Sequence, residues 1–287
     1  MSAARSTSMS SSSSSSCSQS GVMILSCAKR LSAESKRQMS FQCRQFYLKD
    51  DHCAMKVSTD SLLLGSWAVV QPHEATLDLG CGCGILALMM AQRGAAPVVA
   101  LELDAAAAAQ AQANVAASPW PQVVQVEQAE VVNWCAHHAS YAVAIEQDDA
   151  SKLPAQFAHV IFNPPYFAAH LASDDQQRRL ARQGQGAVWS DWLQAASHVL
   201  TATGRVSFIA PVLAWSAILT AASAVQLQVS RYCEVQATPN KPARLLLIEL
   251  QRGNQRGLPP PQQLCIRNQT NQYTDEFKQL TGAFYLN

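Results

Sequence analysis

The sequence predicts an α/β fold with a doubly wound, mostly parallel sheet of seven strands. Between residues 75 and 224, short apolar segments of strand length alternate with helical segments. A glycine-rich turn joins the first of these strands to the first helix. Two strand-like segments then follow one another near the C-terminus, which predicts an antiparallel closing strand. Alternating strands and helices favour a sheet covered by helices on both faces.

Composition narrows the class of protein. The chain has 287 residues, 48% of them hydrophobic, which is ample for a core, and a formal net charge of +1. This charge argues against a surface coated for nonspecific nucleic-acid binding, but it allows a local basic patch. No stretch reaches the ~20 uninterrupted apolar residues of a membrane span. The sequence therefore predicts a soluble, cytoplasmic protein, with a monomer as the expected oligomeric state.

The nine cysteines predict buried, reduced thiols rather than a disulfide framework. Their number is odd and their spacing is irregular, as expected for a protein of a reducing compartment. Cys81 and Cys83 stand one residue apart inside the glycine-rich turn, and no second Cys or His pair at zinc spacing accompanies them. We therefore predict no metal site.

Residues 1–40 differ in composition from the rest of the chain. Ser10 to Ser16 is an unbroken serine run, and the segment lacks apolar periodicity, so we expect it to be disordered. A start of translation near Met39 is favoured over an organelle transit peptide. The folded domain is predicted to cover residues 41–287.

Before the sheet, Phe46 to Leu48 is strand-like, and Ser61 to Val70 carries apolar residues on all sides. The second segment predicts a buried helix capped by Thr59 or Asp60. Polar and apolar groups alternate closely between the two segments. We expect this block to cover a site or, failing that, to close the edge of the sheet.

The strands and helices of the domain follow in a regular order. Strands are predicted at 75–79, 98–103, 123–127, 159–163, 205–210, 226–235 and 244–250, and helices at 85–93, 105–117, 188–200 and 212–224. In open α/β sheets, ligands bind at the carboxyl ends of the parallel strands.

The turn after the first strand indicates which nucleotide binds. It reads Asp78-x-Gly80-x-Gly82-x-Gly84, and Ile85 stands where a dinucleotide-binding loop requires its third glycine. An acid before the first glycine would repel a pyrophosphate, but it can hold the ammonium group of an amino-acid moiety. An NAD-dependent dehydrogenase is therefore disfavoured.

Two further positions fit a nucleoside. Gly82 would let the backbone approach a ribose, and Glu102, at the end of the second strand, is placed to bind both ribose hydroxyls. Together with the acidic glycine loop, they favour S-adenosylmethionine as cofactor.

The fourth strand runs directly into Asn163-Pro164-Pro165-Tyr166-Phe167. The prolines end the strand and hold the preceding residues extended. The Asn163 side-chain oxygen and the Pro164 carbonyl could accept the two N–H bonds of a planar amine, such as N6 of adenine, and stabilise the positive charge that develops there. Tyr166 or Phe167 could stack on the base.

At this point the sequence resembles the bacterial valine-tRNA adenine-N6 methyltransferases, which modify the adenine 3′ of the anticodon. The residues that carry the resemblance begin at Gln45-Phe46 and include Asp51-x-Cys53-Ala54-Met55-Lys56-Val57-x-Thr59-Asp60. They continue through Asn163-Pro164-Pro165-Tyr166-Phe167 to Phe284-Tyr285-Leu286. It covers residues 41–287, and the Ala-Met-Lys-Val block separates this family from other enzymes with an Asn-Pro-Pro-Tyr motif.

The resemblance implies a Rossmann-like class I methyltransferase that binds the anticodon arm of tRNA. It implies that Asn163, Pro164, Pro165 and Tyr166 are catalytic, and that the cofactor contacts Lys56, Thr59, Asp60, Asp78, Gly80, Gly82, Gly84, Glu102, Glu130 and Asn163. For the acid that bonds the cofactor's adenine, Glu130 is preferred, and Asp148 with Asp149 is the alternative. These two residues lie in a stretch, 136–154, that is interpreted as an insertion forming a surface loop.

Basic residues near the site are candidates for tRNA contacts. Arg178, Arg179 and Arg182 would share one helix face, which could equally be a solvated face. Lys241 and Arg244 resemble a basic block before the family's last strand, so they join Tyr166 and Phe167 as predicted substrate contacts.

Two alternatives to tRNA methylation remain open from sequence alone. The same motif could present its acceptors to a protein glutamine amide. A catalytically inactive RNA-binding module is the alternative of another class, but it would predict a damaged glycine loop or a lost Asn163, and both are intact.

Overall fold

The structure, a computed structural model, describes residues 40–53, 56–144, 153–164, 185–253 and 257–285. Apart from Ser40, the predicted N-terminal extension lies outside the described residues, and the expectation of disorder there stays a prediction.

A small ribbon and a buried helix precede the main sheet. Strands β1 (Ser40–Gln42) and β2 (Tyr47–Lys49) pair antiparallel, and helix α1 spans Thr59–Trp67 with every residue from Ser61 onward buried. The predicted cap is wrong, because Thr59 and Asp60 already belong to the helix. Ser58 takes the capping position with an extended backbone and makes no side-chain cap hydrogen bond.

The main sheet and its helices alternate, and the four predicted helices are present. The strands are β3 (Thr76–Leu79), β4 (Val98–Glu102), β5 (Val124–Gln128), β6 (Phe157–Phe162), β7 (Leu200–Pro211), β8 (Leu227–Gln236), β9 (Leu245–Arg252) and β10 (Gln262–Cys265). The helices are α2 (Ile85–Gln92), α3 (Ala105–Ala116), α4 (Val131–Ala144), α5 (Gln185–Val199), α6 (Trp215–Ala224) and α7 (Asp275–Thr281), and a 3₁₀ turn, Val212–Ala214, precedes α6. Helix α4, between β5 and β6, was not predicted.

The sheet order is β10-β8-β9-β7-β6-β3-β4-β5. Strand β9 runs antiparallel to both of its neighbours, while the other adjacent pairs are parallel, which confirms the antiparallel closing strand. The predicted count of seven is wrong, because β10 adds an eighth strand beside β8. Its four residues follow three consecutive prolines, and only Leu264 is buried, so the segment lacks the apolar alternation that identifies a strand.

The strand order creates a crevice at one end of the sheet. Strand β3 lies between β4 and β6, so the chain leaves β3 in one direction and later returns on its other side. A crevice at the carboxyl ends of the strands forms at such a switch point. The glycine turn, Glu102 and Asn163 follow or end these three strands, and they meet there.

The stretch 136–154 differs from its prediction as a surface loop. Helix α4 continues through Ala144, so residues 136–144 are helical. Trp134 stacks on His138, with ring centroids 4.5 Å apart and an angle of 8° between the planes. The rings stand four residues apart, the spacing that places two side chains on one helix face.

No helix within the described part of the chain is long and apolar enough to cross a membrane. The core lies along the central strands, where Phe162 of β6 stacks on Phe208 of β7 at a centroid distance of 4.9 Å. Because these strands are buried on both faces, they fix the positions of their carboxyl ends.

Candidate functional site

A cavity of about 360 Å³ opens at the carboxyl ends of β3, β4 and β6. Its lining combines the glycine turn, the end of β4, the segment before α1 and the end of β6, and it includes Lys56, Ser58, Ser61, Gly80, Gly82, Glu102, Glu130, Asn163 and Trp192. A larger cavity of about 660 Å³ lies beside α6, the start of β8 and the end of β9, at the amino ends of the parallel strands. None of the predicted site residues lines it, so we assign the functional site to the smaller cavity.

Glu102 is held at the cavity wall by two backbone bonds. Its Oε2 accepts from the Gly82 amide at 2.8 Å, and its Oε1 accepts from the Asp104 amide at 2.9 Å. A carboxylate has about four lone-pair directions, so each oxygen can accept a further hydrogen bond. The geometry suits a ligand that carries two neighbouring hydroxyls.

Two glycines of the turn are required for different reasons. Gly80 and Gly82 have φ of +65° and +56°, a region that favours glycine. A Cβ on Gly80 would lie 2.8 Å from the Trp192 ring, whereas a Cβ on Gly82 would meet no atom within 4 Å. Gly80 therefore permits packing against α5, and Gly82 leaves room beside Glu102 for a ligand. Gly84 caps α2 at φ +87° and lies against α3 rather than on the cavity wall.

Asp78 lies beneath the turn, not on the cavity wall. It is fully buried, its Oδ2 accepts from the Ala87 amide of α2 at 3.0 Å, and its Oδ1 has no hydrogen-bond partner. Burial, opposed by the Ala87 bond and reinforced by the nearby charge of Glu102, raises the pKa of Asp78 to about 8. The carboxyl group supports the turn, and its role as an ammonium ligand stays a prediction.

Asp78 should make the stability of the protein depend on pH. The folded pKa is above the ordinary value of 3.8, so between these values the folded state holds a proton that the unfolded chain releases. The free energy of unfolding should therefore fall as pH rises from about 4 to about 8. A four-unit shift corresponds to on the order of 5 kcal/mol.

Asp78→Asn, which stays neutral, should remove this contribution. Melting temperatures of both proteins across the range should diverge increasingly as pH rises, with the wild type less stable at high pH. Parallel pH profiles would show that Asp78 does not titrate in this interval.

Asn163 is oriented by helix α1. Its Nδ2 donates to the Ser61 hydroxyl at 2.9 Å, and this bond uses the amide nitrogen rather than the amide oxygen. The half-buried Asn163 and the cavity-lining Ser61 thus form one unit on the cavity wall. Pro164, the next residue, is buried. Pro165, Tyr166 and Phe167 lie outside the described residues.

The segment before α1 is braced by Asp50. Lys56 Nζ donates to the Asp50 carbonyl at 2.6 Å and lies 3.6 Å from its carboxylate, which also accepts from the Val57 amide at 3.0 Å. The Lys56 charge is therefore used to hold the segment, although the side chain still lines the cavity. Thr59 and Asp60, also expected at the cofactor, do not line it.

Glu130 reaches the cavity from the far side. Its two oxygens accept from the amides of Val132 and Asn133 in the first turn of α4, at 3.0 and 2.8 Å. A carboxylate at this position is favoured by the helix dipole. Glu130 and Val131 both line the cavity, so the geometry is consistent with Glu130 as the acid that follows the third strand. Asp148 and Asp149 lie outside the described residues.

The structure describes two of the five basic residues that were predicted to contact tRNA. Lys241 and Arg244 are exposed immediately before β9. Leu245 pairs with Pro211 at the carboxyl end of β7. Lys241 and Arg244 therefore lie on the same side of the sheet as the cavity, where the parallel strands end. Arg178, Arg179 and Arg182 lie outside the described residues.

Ser61, Trp192 and Cys53 are cavity residues to which sequence reasoning assigned no role. Ser61 stands 102 positions from Asn163, and Trp192 meets Gly80 from a helix more than a hundred residues away. The one local signal was the density of polar residues in the block before α1. Within the described chain, no group of three or more His, Cys, Asp or Glu side chains could hold a metal ion.

Comparison with known proteins identifies close relatives. A tRNA1(Val) (adenine(37)-N6)-methyltransferase from Pasteurella multocida is 39% identical over 256 residues, covering 88% of this chain and 99% of the relative. The protein of the same name from Mannheimia succiniciproducens is 36% identical over 253 residues, covering 88% and 96%.

Two further comparisons concern the fold. A family model described as ribosomal protein L11 methyltransferase (PrmA) matches residues 58–145. The crystal structure of a predicted O-methyltransferase, Atu636 from Agrobacterium tumefaciens, superposes with a TM-score of 0.57 at 19% identity and covers 78% of this chain and 96% of that one. The sheet therefore has the class I methyltransferase fold.

Proposed function

Because the chain belongs to the tRNA1(Val) (adenine(37)-N6)-methyltransferase family, we propose that it transfers a methyl group from S-adenosylmethionine to N6 of adenine 37 in a valine tRNA. The observation that carries this proposal is the placement of Asn163 on the wall of a cavity that also presents Glu102 and an unobstructed Gly82. Neither the glutamine-amide alternative nor the inactive binding module is favoured by any contact in the site.

The residues present fit this cofactor. The open space beside Gly82 and the two oxygens of Glu102 suit a ribose, and Glu130, which also lines the cavity, can accept from an exocyclic amine. Ile85, Leu86 and Val131 give the cavity apolar walls for a base. When bound, S-adenosylmethionine supplies an electrophilic methyl group.

The chain's own contribution is to orient and polarise the amine. The Ser61 bond holds the Asn163 amide so that its oxygen can accept one N–H of adenine, and the Pro164 carbonyl is proposed to accept the other. Preorganised acceptors of this kind stabilise the positive charge that develops on the nitrogen. Tyr166 and Phe167 are proposed to stack on the base. A strong general base is not required, because the nitrogen becomes acidic once it is methylated and its proton can then leave to solvent.

The direct test is methylation of a defined substrate. The protein should methylate a valine tRNA transcript carrying adenine 37, and nucleoside mass spectrometry should identify N6-methyladenosine. A transcript with guanine at position 37 is the matched control. Equal methylation of both transcripts, or of a glutamine-containing protein in preference to them, would contradict the proposed substrate.

Lys241 and Arg244 are proposed to contact tRNA phosphates. Each is exposed at the sheet edge that carries the cavity. Each contact that is lost should reduce the slope of log affinity against log salt by ~1. We therefore expect Lys241→Gln/Arg244→Gln to bind tRNA more weakly and with a flatter salt dependence, while cofactor affinity stays unchanged.

Titrations at several salt concentrations measure this slope. Arg252→Gln is the matched control. Arg252 is also exposed, but it is the last residue of β9 and lies at the end of this strand away from the cavity. If the double variant keeps the wild-type slope, Lys241 and Arg244 are merely solvated.

A further inference from the structure

Asn114 is a buried polar residue of helix α3 to which the proposed methyl transfer assigns no part. It is only 3% exposed, and its side chain bonds to the main chain of two other segments. Its Nδ2 donates to the Lys49 carbonyl at 2.8 Å and to the Cys83 carbonyl at 2.9 Å, and its Oδ1 accepts from the Lys49 amide at 3.0 Å. Both N–H bonds of the amide are used, although Lys49 and Cys83 stand 65 and 31 positions away.

The bond to Cys83 satisfies a carbonyl that helix α2 leaves unpaired. Gly84 is the capping residue of α2, and its carbonyl accepts the first hydrogen bond of the helix at 3.0 Å. Cys83 precedes the cap, so its carbonyl lies outside the hydrogen bonds of the helix. Because Cys83 is buried, this carbonyl requires a partner, and Asn114 provides it. The contact holds the turn next to Gly82, which lines the cavity.

The two bonds to Lys49 connect Asn114 to the segment before α1. Lys49 is the last residue of β2, and the Asn114 amide pairs with both its N–H and its C=O, as a neighbouring strand would. The next residue, Asp50, is buried. Its Oδ2 accepts from the Val57 amide at 3.0 Å, and its carbonyl accepts from Lys56 Nζ at 2.6 Å. A continuous chain of contacts therefore leads from Asn114 to Val57.

Two walls of the cavity thus depend on one amide. The segment before α1 contributes Lys56, Val57 and Ser58 to the lining, and the glycine turn contributes residues 80–83, whereas Asn114 does not line the cavity. We propose that Asn114 is a positioning residue for the cofactor, which holds these two walls at the spacing that S-adenosylmethionine requires. It acts through the main chain of its partners and touches neither the cofactor nor the reacting amine.

Loss of the two amide donors should loosen the cavity rather than unfold the domain. Asn114→Asp keeps the shape of the side chain, but a carboxylate cannot donate, so the Lys49 and Cys83 carbonyls would both face a negative charge. Helix α3 keeps its own cap, in which Asp104 accepts from the Ala107 amide at 2.8 Å. Walls that must be ordered when the ligand binds lower its affinity.

The inference rests on the cofactor assignment of the proposed function but not on the tRNA substrate. Calorimetry of the full-length proteins with S-adenosylmethionine measures the affinity directly. Asn114→Asp and Asn114→Ala should bind at least about tenfold more weakly than the wild type, because both leave buried carbonyls without a donor. Val115→Ala is the matched control. Val115 is the next residue of α3 and is equally buried, but its side chain is apolar, so this variant should melt at a lower temperature and keep its cofactor affinity.

The kinetics separate positioning from a purely structural role. In single turnovers with a valine tRNA transcript, the cofactor concentration that gives half the maximal rate should rise in Asn114→Asp by the same factor as the dissociation constant. The rate at saturating cofactor should stay near that of the wild type, because Asn163 and Ser61 are untouched. A loss confined to the maximal rate, with unchanged cofactor affinity, would contradict the proposal.

Asp50→Ala tests the route from Asn114 to the cavity wall. It removes the bond to the Val57 amide, so it should also weaken cofactor binding. The double variant Asn114→Asp/Asp50→Ala should lose less binding free energy than the sum of the single variants, because both changes release the same segment.

Unchanged affinity in either folded Asn114 variant, or additive losses in the double variant, would overturn the proposal. If neither Asn114 variant folds, unchanged affinity in Asp50→Ala would overturn it. A wild-type protein that does not bind S-adenosylmethionine would refute the cofactor assignment itself. A protein that passes this test but leaves tRNA unmethylated would refute only the substrate assignment.

Discussion

Asn163→Ala should slow methyl transfer by ~10²–10³-fold, the range seen when one preorganised electrostatic partner is removed. The Asn163 oxygen is proposed to accept from the amine while the nitrogen becomes positive. Its contribution is then larger in the transition state than in the ground state. Binding of tRNA and of S-adenosylmethionine should change little, so the loss should appear in the rate of the chemical step.

Substitution of Ser61 tests the same mechanism with a smaller expected effect on the rate. Because its hydroxyl accepts from Asn163 Nδ2, Ser61→Ala should loosen the amide without removing the acceptor, and the rate should fall less than in Asn163→Ala. Ser66→Ala is the matched control. Ser66 is a buried serine of the same helix whose hydroxyl has no hydrogen-bond partner.

Single-turnover kinetics with excess enzyme and a valine tRNA transcript isolate the chemical step. The expected order of rates is wild type and Ser66→Ala, then Ser61→Ala, then Asn163→Ala. Near wild-type chemistry in Asn163→Ala would show that the amine is not activated by the route proposed here.

The parts of the site that sequence predicted are those that local sequence determines. Gly82 and Glu102 were recognised because a turn and a strand end have their own residue signatures, and the structure brings the two together through one hydrogen bond. Asn163 was recognised because prolines mark the end of its strand. Each of these signals spans only a few neighbouring residues.

The parts that sequence missed depend on packing between distant segments. Ser61 reaches Asn163, and Trp192 reaches Gly80, only after the sheet has formed. The contact of the buried Asp78 carboxyl with the Ala87 amide of α2 likewise forms only when the helix packs beneath the turn, while its role at the ligand stays a prediction. Strand β10 was missed because its few residues lack an apolar pattern and pair only through the backbone of β8.

At the opposite end of the sheet, Glu74 and Arg205 form a buried ion pair that sequence reasoning also missed. Arg205 Nη2 donates to Glu74 Oε1, and Arg205 also donates twice to the Val69 carbonyl, at 2.8 and 3.0 Å. The Arg205 side chain is only 9% exposed and the Glu74 side chain only 6%. The pair joins the segment between α1 and β3 to the middle of β7.

His159 completes this cluster. Its Nδ1 lies 3.8 Å from Glu74 Oε1, and its Nε2 lies 3.0 Å from the Ser207 hydroxyl. Burial, followed by the positive charges of Arg205, Arg93 and Arg231, lowers the pKa of His159 well below its ordinary value. The imidazole is therefore neutral beside the ion pair at physiological pH.

Arg205→Ala should destabilise the protein by about 3–5 kcal/mol, the cost of leaving a buried charge without its partner. The double variant Glu74→Gln/Arg205→Ala should lose less than the sum of its two single variants, because it removes both charges together. Denaturant unfolding of the four proteins gives the coupling free energy. Arg252→Ala, which removes an exposed arginine bonded to the Ser197 carbonyl, is the control.

The loss in Arg205→Ala should also shrink as pH falls. Without Arg205, one of the charges that lower the pKa of His159 is gone, so the imidazole can take up a proton in the folded state and face Glu74 as a cation. A folded state that binds more protons than before gains stability as pH decreases. The variant should therefore lie closer to the wild type at about pH 5 than at about pH 8. A loss that stays constant across this range, or additive single variants, would mean that Glu74 does not depend on Arg205 for its charge balance.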